Sequence, residues 1–297
     1  MTKEELLVSG GLDFTVSKQK MSYLADTIQE EGIYKYADTP FFCTVNDKTG
    51  EALGPVRSRY TVLQNAHLLD NILDRLEANT YDLSQSECGM FNGGKKIYFF
   101  IKLKSGIVIG EDGLDVYLYA LSSHDGSQRL VYGISTRTHS CSNMFATLMA
   151  DKDNNYVVKH TAKIEKDNKM FINDLIDRNL IGIKNLFTIM RQYTPTSEFR
   201  GRFKDIVAKT EGKKKVIQVV KDKRRALDES ITEEFASKGG SYYGLFNGLT
   251  HYLTHKHREY TNWSPKYELL VGNSNAYTKD ALKLIIAEMR EQGINLN

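Results

Sequence analysis

A dense group of cations between residues 209 and 225 is the first feature of the sequence that could bind a ligand. These 17 residues hold eight lysines and arginines against Glu211 and Asp222, a local charge of +6 on a 297-residue chain whose net charge is +3. Such a segment can bind phosphates, because each neutralised phosphate releases condensed counterions. Valine and isoleucine interrupt the charges and favour an ordered element; a solvated lysine-rich loop is the alternative.

A second group of basic residues is interleaved with aromatic residues in the first half of the chain. This mixture suits single-stranded nucleic acid, because bases stack on rings while lysine and arginine neutralise the backbone. We expect exposed rings such as Tyr60 and Tyr98 to stack on bases, with core packing as the alternative for any single ring. The candidate DNA-binding residues are Arg57, Arg59, Tyr60, Lys95, Lys96, Tyr98, Arg129, Arg137, Lys159, Lys213, Lys214 and Lys215.

Histidines offer a different chemistry, that of a metal-dependent nuclease. His124, Asp125, His139 and His160 flank predicted strands and would form a catalytic cluster if the strand ends converged. The segment from His124 to Ser127 also has a composition typical of a turn, because Asp and Gly tolerate left-handed backbone geometry. We favour the turn and keep the nuclease as an alternative.

The sequence lacks the other common catalytic and cofactor motifs. There is no GxxxxGK[ST], no GxGxxG after a strand and no GxSxG. His251, His255 and His257 give HxxxHxH without the acidic residue of the HExxH motif. Cys141 precedes a predicted apolar helix, where a thiol is acidified, but its polar neighbours are better interpreted as helix caps. We therefore assign no catalytic residue, no metal ligand and no cofactor.

Composition indicates an ordinary globular protein. Charged residues make up 26% and hydrophobic residues 41% of the chain, and no apolar run approaches the roughly 20 residues of a membrane-spanning helix. The three cysteines are far apart and odd in number, which argues against a disulfide framework. The N-terminus lacks a signal-peptide pattern, so we expect the protein in the cytoplasm where it is made, without a membrane partner.

Residues 1–160 are predicted as a mainly β core with one amphipathic helix. A hairpin is predicted from Phe41–Val45 and Val56–Leu63, and Asn65 is predicted to cap a helix over Ala66–Ala78. The dipeptide Asn92–Gly93 predicts a hairpin between Tyr81–Phe91 and Lys95–Lys104, with the second strand covered on both faces. A further hairpin joins Leu114–Ser122 to Arg129–Thr136 across His124–Ser127.

Residues 161–297 are predicted as a mainly helical region that packs on the β core. Periodic apolar residues predict the helices Ile164–Tyr193, Glu198–Lys209, Tyr242–His257 and Thr278–Arg290. The basic segment 209–225 lies within this region. Strands followed by helices predict an α+β fold class.

Several short motifs occur in a set order over most of residues 40 to 280. They are Arg59–Asn65, Gly94–Tyr98, His124–Ser127, Arg137 with Cys141–Asn143, Lys159–Thr161, Tyr243–Gly248 through His255, and Gly272–Ala276. In this order they resemble the phage/plasmid-like protein family (domain of unknown function 932), which is found on bacteriophages and plasmids. The resemblance implies a phage or plasmid setting, and with it the cytoplasm of a bacterial host cell, and leaves the biochemical role open.

The order of elements is similar to that of the Rad52-like annealing proteins of phage recombination. These proteins use a curved antiparallel sheet packed on a helix, assemble into rings or filaments, and bind single-stranded DNA along a basic groove. The similarity is an analogy of topology. It implies a curved antiparallel β-sheet built of hairpins packed on a long helix, followed by a helical C-terminal region.

These observations predict a non-enzymatic phage or plasmid recombination protein that binds single-stranded DNA and anneals complementary strands. The expected partners are single-stranded DNA and further copies of the chain in a ring or filament. A single-stranded-DNA-binding protein or an exonuclease is a further candidate partner. The alternatives are the metal-dependent nuclease and a non-enzymatic phage protein that binds a host defence or replication factor.

Overall fold

The structure is a computed structural model in which seven stretches of the chain are described. They are residues 1–28, 33–138, 144–146, 156–161, 172–208, 217–257 and 272–296. The fold is α+β, with two antiparallel sheets followed by helices, and this fold class confirms the prediction.

A three-stranded antiparallel sheet comprises β1 (Val16–Ile28), β2 (Ile33–Asn46) and β3 (Ala52–Arg57), in that order. The predicted hairpin between β2 and β3 is confirmed, and the Asn46 side chain accepts a hydrogen bond from the Lys48 amide at 2.9 Å in the turn. The second strand ends at Arg57 and does not continue to Leu63. Strand β1 and the first part of β2 were not predicted.

The larger sheet has six strands and contains both of the other predicted hairpins. Its strands are β4 (Tyr81–Phe91), β5 (Lys96–Ile109), β6 (Asp112–Ser123), β7 (Leu130–Thr138) and β8 (Met144–Ala146), with β9 (Tyr156–Val158) also paired to β7. Asn92, Gly93 and Gly94 all have positive φ, which explains the composition of the β4–β5 turn. Residues 97–103 of β5 are buried on both faces, as predicted. The helix predicted after Asn143 is wrong, because Met144–Ala146 pairs with β7.

The N-terminal part of the chain has two short helices, α1 (Lys3–Ser9) and α2 (Asn65–Leu73). The predicted apolar stripe of α2 is buried, namely Leu68, Leu69, Ile72, Leu73 and the following Leu76. The prediction that Asn65 caps this helix is wrong. Gln64 occupies the cap position, and the Asn65 side chain is buried and bonded to other parts of the chain.

Helices dominate the described C-terminal residues. They are α3 (Ile172–Gln192), α4 (Ser197–Lys204) with a 3₁₀ turn at Asp205–Ala208, α5 (Ile217–Lys238), α6 (Tyr242–His251) extended by a π-helical segment at Tyr252–Lys256, and α7 (Asn273–Glu291). No helix was predicted over the range of α5; its first residues were expected only to form an ordered element within the basic segment 209–225. None of the described helices is long and apolar enough to cross a lipid bilayer.

The chain divides into two compact units that are interleaved along the sequence. The first comprises Met1–Lys104, Tyr117–Gly133 and Asn155–Leu175, and the second comprises Ser105–Val116, Ile134–Asn154 and Ile176–Asn297. This division differs from the one predicted at residue 160, because β5, β6 and β7 each contribute part of their length to both units.

Close backbone packing between α5 and α6 predicts a stability effect at Gly248. A Cβ atom added there would lie 2.6 Å from Ile231 Cα, whereas one added at Gly201 in α4 would meet nothing within 4 Å. We expect Gly248→Ala to lower the free energy of unfolding by roughly 1–3 kcal/mol. The matched Gly201→Ala should leave it unchanged or raise it by roughly 0.5–1 kcal/mol. Urea unfolding of both variants checks this, and equal effects would contradict the packing argument.

Candidate nucleic-acid interface

Four loop segments that carry predicted DNA-binding residues are bonded to one another in the first unit. We call residues 57–61, 92–95, 123–129 and 159–161 the basic loop cluster. The Tyr60 hydroxyl donates to the Ser123 carbonyl at 2.5 Å, and the Thr61 amide donates to the His160 carbonyl at 3.1 Å. The His124 amide donates to the Lys95 carbonyl at 2.8 Å. Positions far apart in sequence therefore share one region of the surface.

The basic loop cluster exposes five cations and contains one acidic residue, Asp125. The exposed cations are Arg57, Arg59, Lys95, Arg129 and Lys159. Within the stretches that the structure describes, none of the five forms an ion pair. Their charges are therefore available to an external anion.

Two of these cations lie at adjacent strand ends. Leu130 at the start of β7 pairs with Val158 in β9, so Arg129 and Lys159 follow as neighbours in the same register. Arg129 directly precedes β7 and Lys159 directly follows β9, and two like charges at such adjacent positions repel each other. A bound phosphate would relieve that repulsion.

Lys18 adds a further cation, which the sequence pattern did not indicate. Its Nζ donates to the carbonyls of Ser58 at 2.9 Å and Tyr60 at 3.0 Å, and it lies 4.9 Å from the centroid of the Phe42 ring. It thereby attaches β1 to the basic loop cluster. Since β1 was not predicted, no local signal in the sequence could have identified this contact.

The prediction that Tyr60 is a freely exposed stacking ring is wrong. The ring is half-buried and stacks on His160, with centroids 4.9 Å apart and planes at 17°. Burial, together with the nearby Asp125 carboxylate, raises the pKa of the Tyr60 hydroxyl above its ordinary value. Tyr60 thus remains a neutral donor to Ser123 and joins the segments that carry the cations.

The corresponding prediction for Tyr98 is also wrong. Tyr98 is 8% exposed and stacks on Phe91, with centroids 4.9 Å apart, because β5 is covered on both faces. Burial raises the pKa of its hydroxyl to about 12. Its neighbour Lys96 starts β5 and is paired in register with Phe91.

A chain of hydrogen bonds determines the tautomer of the buried His124. The Asn65 amide nitrogen donates to the carbonyls of Leu12 at 3.1 Å and Phe14 at 3.2 Å, so its Oδ1 must face the His124 ring. Oδ1 lies 2.9 Å from Nε2, which therefore carries the proton. In the described part of the chain, Nδ1 of His124 has no hydrogen-bond partner.

His160 adopts the opposite tautomer. Its Nδ1 lies 3.3 Å from the Thr61 carbonyl, which can only accept, so Nδ1 carries the proton. Nε2 then accepts from the Ser122 hydroxyl at 3.1 Å. The serine–histidine contact is the kind that activates a nucleophile, but Ser122 is 1% exposed and is closed to substrate in this conformation.

Burial keeps both histidines neutral near pH 7. It lowers the pKa of His124 to about 4, assisted by His160 and opposed by Asp125. It also lowers the pKa of His160, against an opposing effect from the Thr61 carbonyl. Over the described residues, no group of three or more histidine, cysteine or acidic side chains could hold a metal ion. His139, a member of the proposed nuclease cluster, lies outside those residues.

The basic segment 209–225 is described only from Ile217 onward. Lys213, Lys214 and Lys215 lie outside the described residues. In α5, Arg224 pairs with Asp205, and Arg225 pairs with Asp222 at 3.5 Å and Glu229 at 4.0 Å. These arginines are already compensated, unlike those of the basic loop cluster. Arg137 is exposed on β7 and belongs to the second unit.

Comparison with known proteins yields one family. A family model described as "Domain of unknown function (DUF932)" matches residues 52–292. No curated protein and no solved structure matches the chain. The matched range begins at Ala52, the first residue of β3, and includes all four segments of the basic loop cluster.

The neutral His124 predicts a pH dependence of stability. Its pKa is lower in the folded state, about 4, than the ordinary 6.5. The unfolded chain therefore binds more protons between these values, and stability falls as the pH drops from 6.5 towards 4, by about 3 kcal/mol for this group. Urea unfolding at pH 7.5, 5.5 and 4.5 checks this.

The variant His124→Gln isolates the contribution of this residue from that of the other histidines. We expect its unfolding free energy to depend less steeply on pH than that of the wild type. An identical slope in the two proteins would show that His124 does not titrate as its burial requires.

Proposed function

Because the chain belongs to the DUF932 family, whose function is unknown, we propose a function from its own residues: it binds single-stranded DNA and promotes annealing of complementary strands. The observation that carries the proposal is the set of five exposed cations in the basic loop cluster, which form no ion pair with described residues. Clustered unpaired cations bind a phosphate backbone without sequence preference.

Annealing requires positioning and no covalent chemistry. A surface that holds the phosphates and leaves the bases accessible allows a second strand to pair. The proposal includes several copies of the chain in a ring or filament, so that one strand is held over many nucleotides. It also places the protein in phage or plasmid DNA recombination in the bacterial cytoplasm, where a single-stranded-DNA-binding protein or an exonuclease would act on the same strands.

The first experiment measures annealing and nuclease activity together. Two complementary oligonucleotides carrying a fluorescence donor and acceptor are mixed with and without the protein, in Mg²⁺ and in chelator. We expect faster annealing with both strands intact. Cleavage that needs the metal would favour the nuclease, and unchanged annealing would reject the proposal. Electron microscopy with and without oligonucleotide tests for rings or filaments.

Removing cations from the basic loop cluster should weaken binding in a salt-dependent way. Each phosphate contact to a single strand contributes about 0.7 to the slope of log K against log salt. The triple variant Arg59→Ala, Arg129→Ala, Lys159→Ala should therefore reduce that slope by about 2 and the affinity at 0.1 M salt by about 100-fold. Fluorescence anisotropy with a labelled oligonucleotide measures both quantities.

Lys184→Ala is the matched control, because Lys184 is an exposed lysine of α3 with no ion pair in the described stretches. We expect this variant to bind like the wild type. If the wild type does not bind, binds independently of salt, or loses as much affinity at Lys184 as in the triple variant, the basic loop cluster is not a DNA interface.

A further inference from the structure

An exposed aromatic ring lies directly opposite one of the unpaired arginines. Phe41 in β2 is 43% exposed, and its register partner in β3 is Arg57. Residues directly opposite in an antiparallel pair share a face, with Cβ atoms roughly 5 Å apart. Arg57 is itself exposed and forms no ion pair among the described residues. The two side chains therefore form one small exposed surface with an apolar and a cationic half.

The backbone around Phe41 is fixed by its neighbours. The Phe41 amide donates to the Thr39 hydroxyl at 3.2 Å, and the Thr39 hydroxyl in turn donates to the Met21 carbonyl in β1 at 2.9 Å. Pairing with β3 restrains the other edge of β2. The ring is therefore presented at a defined position, which reduces the entropy lost when a ligand binds.

A nucleotide fits the chemistry of this pair. A base has an apolar face that stacks on an aromatic ring, and its phosphate pairs with a guanidinium. Arg57 begins the basic loop cluster, so the ring adjoins the surface already proposed for the backbone. Tyr36 is another exposed ring of β2. Its register partner in β1 is Leu24, so no cation lies opposite it. A cation across the strands therefore distinguishes Phe41 from a merely apolar contact site.

We propose that Phe41 and Arg57 form a nucleotide-binding pair, in which one base of single-stranded DNA stacks on Phe41 and an adjoining phosphate binds Arg57. This inference rests on the proposed function and adds the stacking ring that Tyr60 and Tyr98 do not supply. The site is independent of base identity, because every base has a stacking face.

The test compares a labelled thymidine oligonucleotide with an abasic oligonucleotide of the same length. We expect the wild type to prefer the oligonucleotide with bases by roughly tenfold. Phe41→Ala should lose this preference without changing the salt slope, whereas Arg57→Ala should weaken binding to both oligonucleotides and reduce the slope by about 0.7. Tyr36→Ala is the matched control and should retain the preference.

Direct stacking is tested with the variant Phe41→Trp. The wild type has a single tryptophan and serves as the reference for the fluorescence of the added one. We expect the thymidine oligonucleotide to quench the added fluorescence and the abasic oligonucleotide to leave it unchanged. Thermal melting verifies that each variant folds. The nucleotide-binding pair is overturned if Phe41→Ala still prefers the oligonucleotide with bases. It is also overturned if Phe41→Ala loses affinity equally for both oligonucleotides and sedimentation shows that its oligomeric state has changed. Neither result affects the proposal of salt-dependent binding by the basic loop cluster. Absence of any binding by the wild type overturns both proposals.

Discussion

The buried hydrogen bond between the Asn65 amide and the His124 ring holds segment 123–129 of the basic loop cluster in place. The carbonyls of Leu12 and Phe14 orient the amide, so the N-terminal segment decides which ring nitrogen carries the proton. The His124 backbone in turn donates to the Lys95 carbonyl and accepts from the Thr44 hydroxyl at 2.7 Å. Because an unsatisfied buried polar group costs about 1–3 kcal/mol, these parts of the chain hold one another in a single arrangement.

The cations of the basic loop cluster differ from the ion-paired cations that occur in both units, such as Lys3 and Lys48 in the first. In the second unit, described cations such as Arg202 and Lys256 pair with Glu288 and Glu233, and the buried Lys238 lies between Asp112 and Glu234. In the first unit, the charges of the basic loop cluster are left without such partners. Exposed ion pairs contribute little to stability. The unpaired cations therefore matter for a different reason, because they give their surface a net positive field that attracts a polyanion.

Features determined by neighbouring residues were predictable from the sequence. The Asn92–Gly94 turn, the stripe of α2 and the doubly covered β5 follow from backbone geometry and periodicity, and all are confirmed. Side-chain environments were not predictable, because they depend on distant partners. Tyr60 bonds to a residue 63 positions away, and Asn65 to one 59 positions away. The exposure of Phe41 opposite Arg57 likewise required the register of two strands.

The interleaving of the two units limits how this protein can be divided. The chain passes from one unit to the other at residues 104, 116, 133, 154 and 175. No single cut separates the two units, because a fragment that ends at Leu175 contains all of the first unit together with Ser105–Val116 and Ile134–Asn154 of the second. The first unit includes Asn155–Leu175, so a chain under synthesis must reach residue 175 before that unit can be completed.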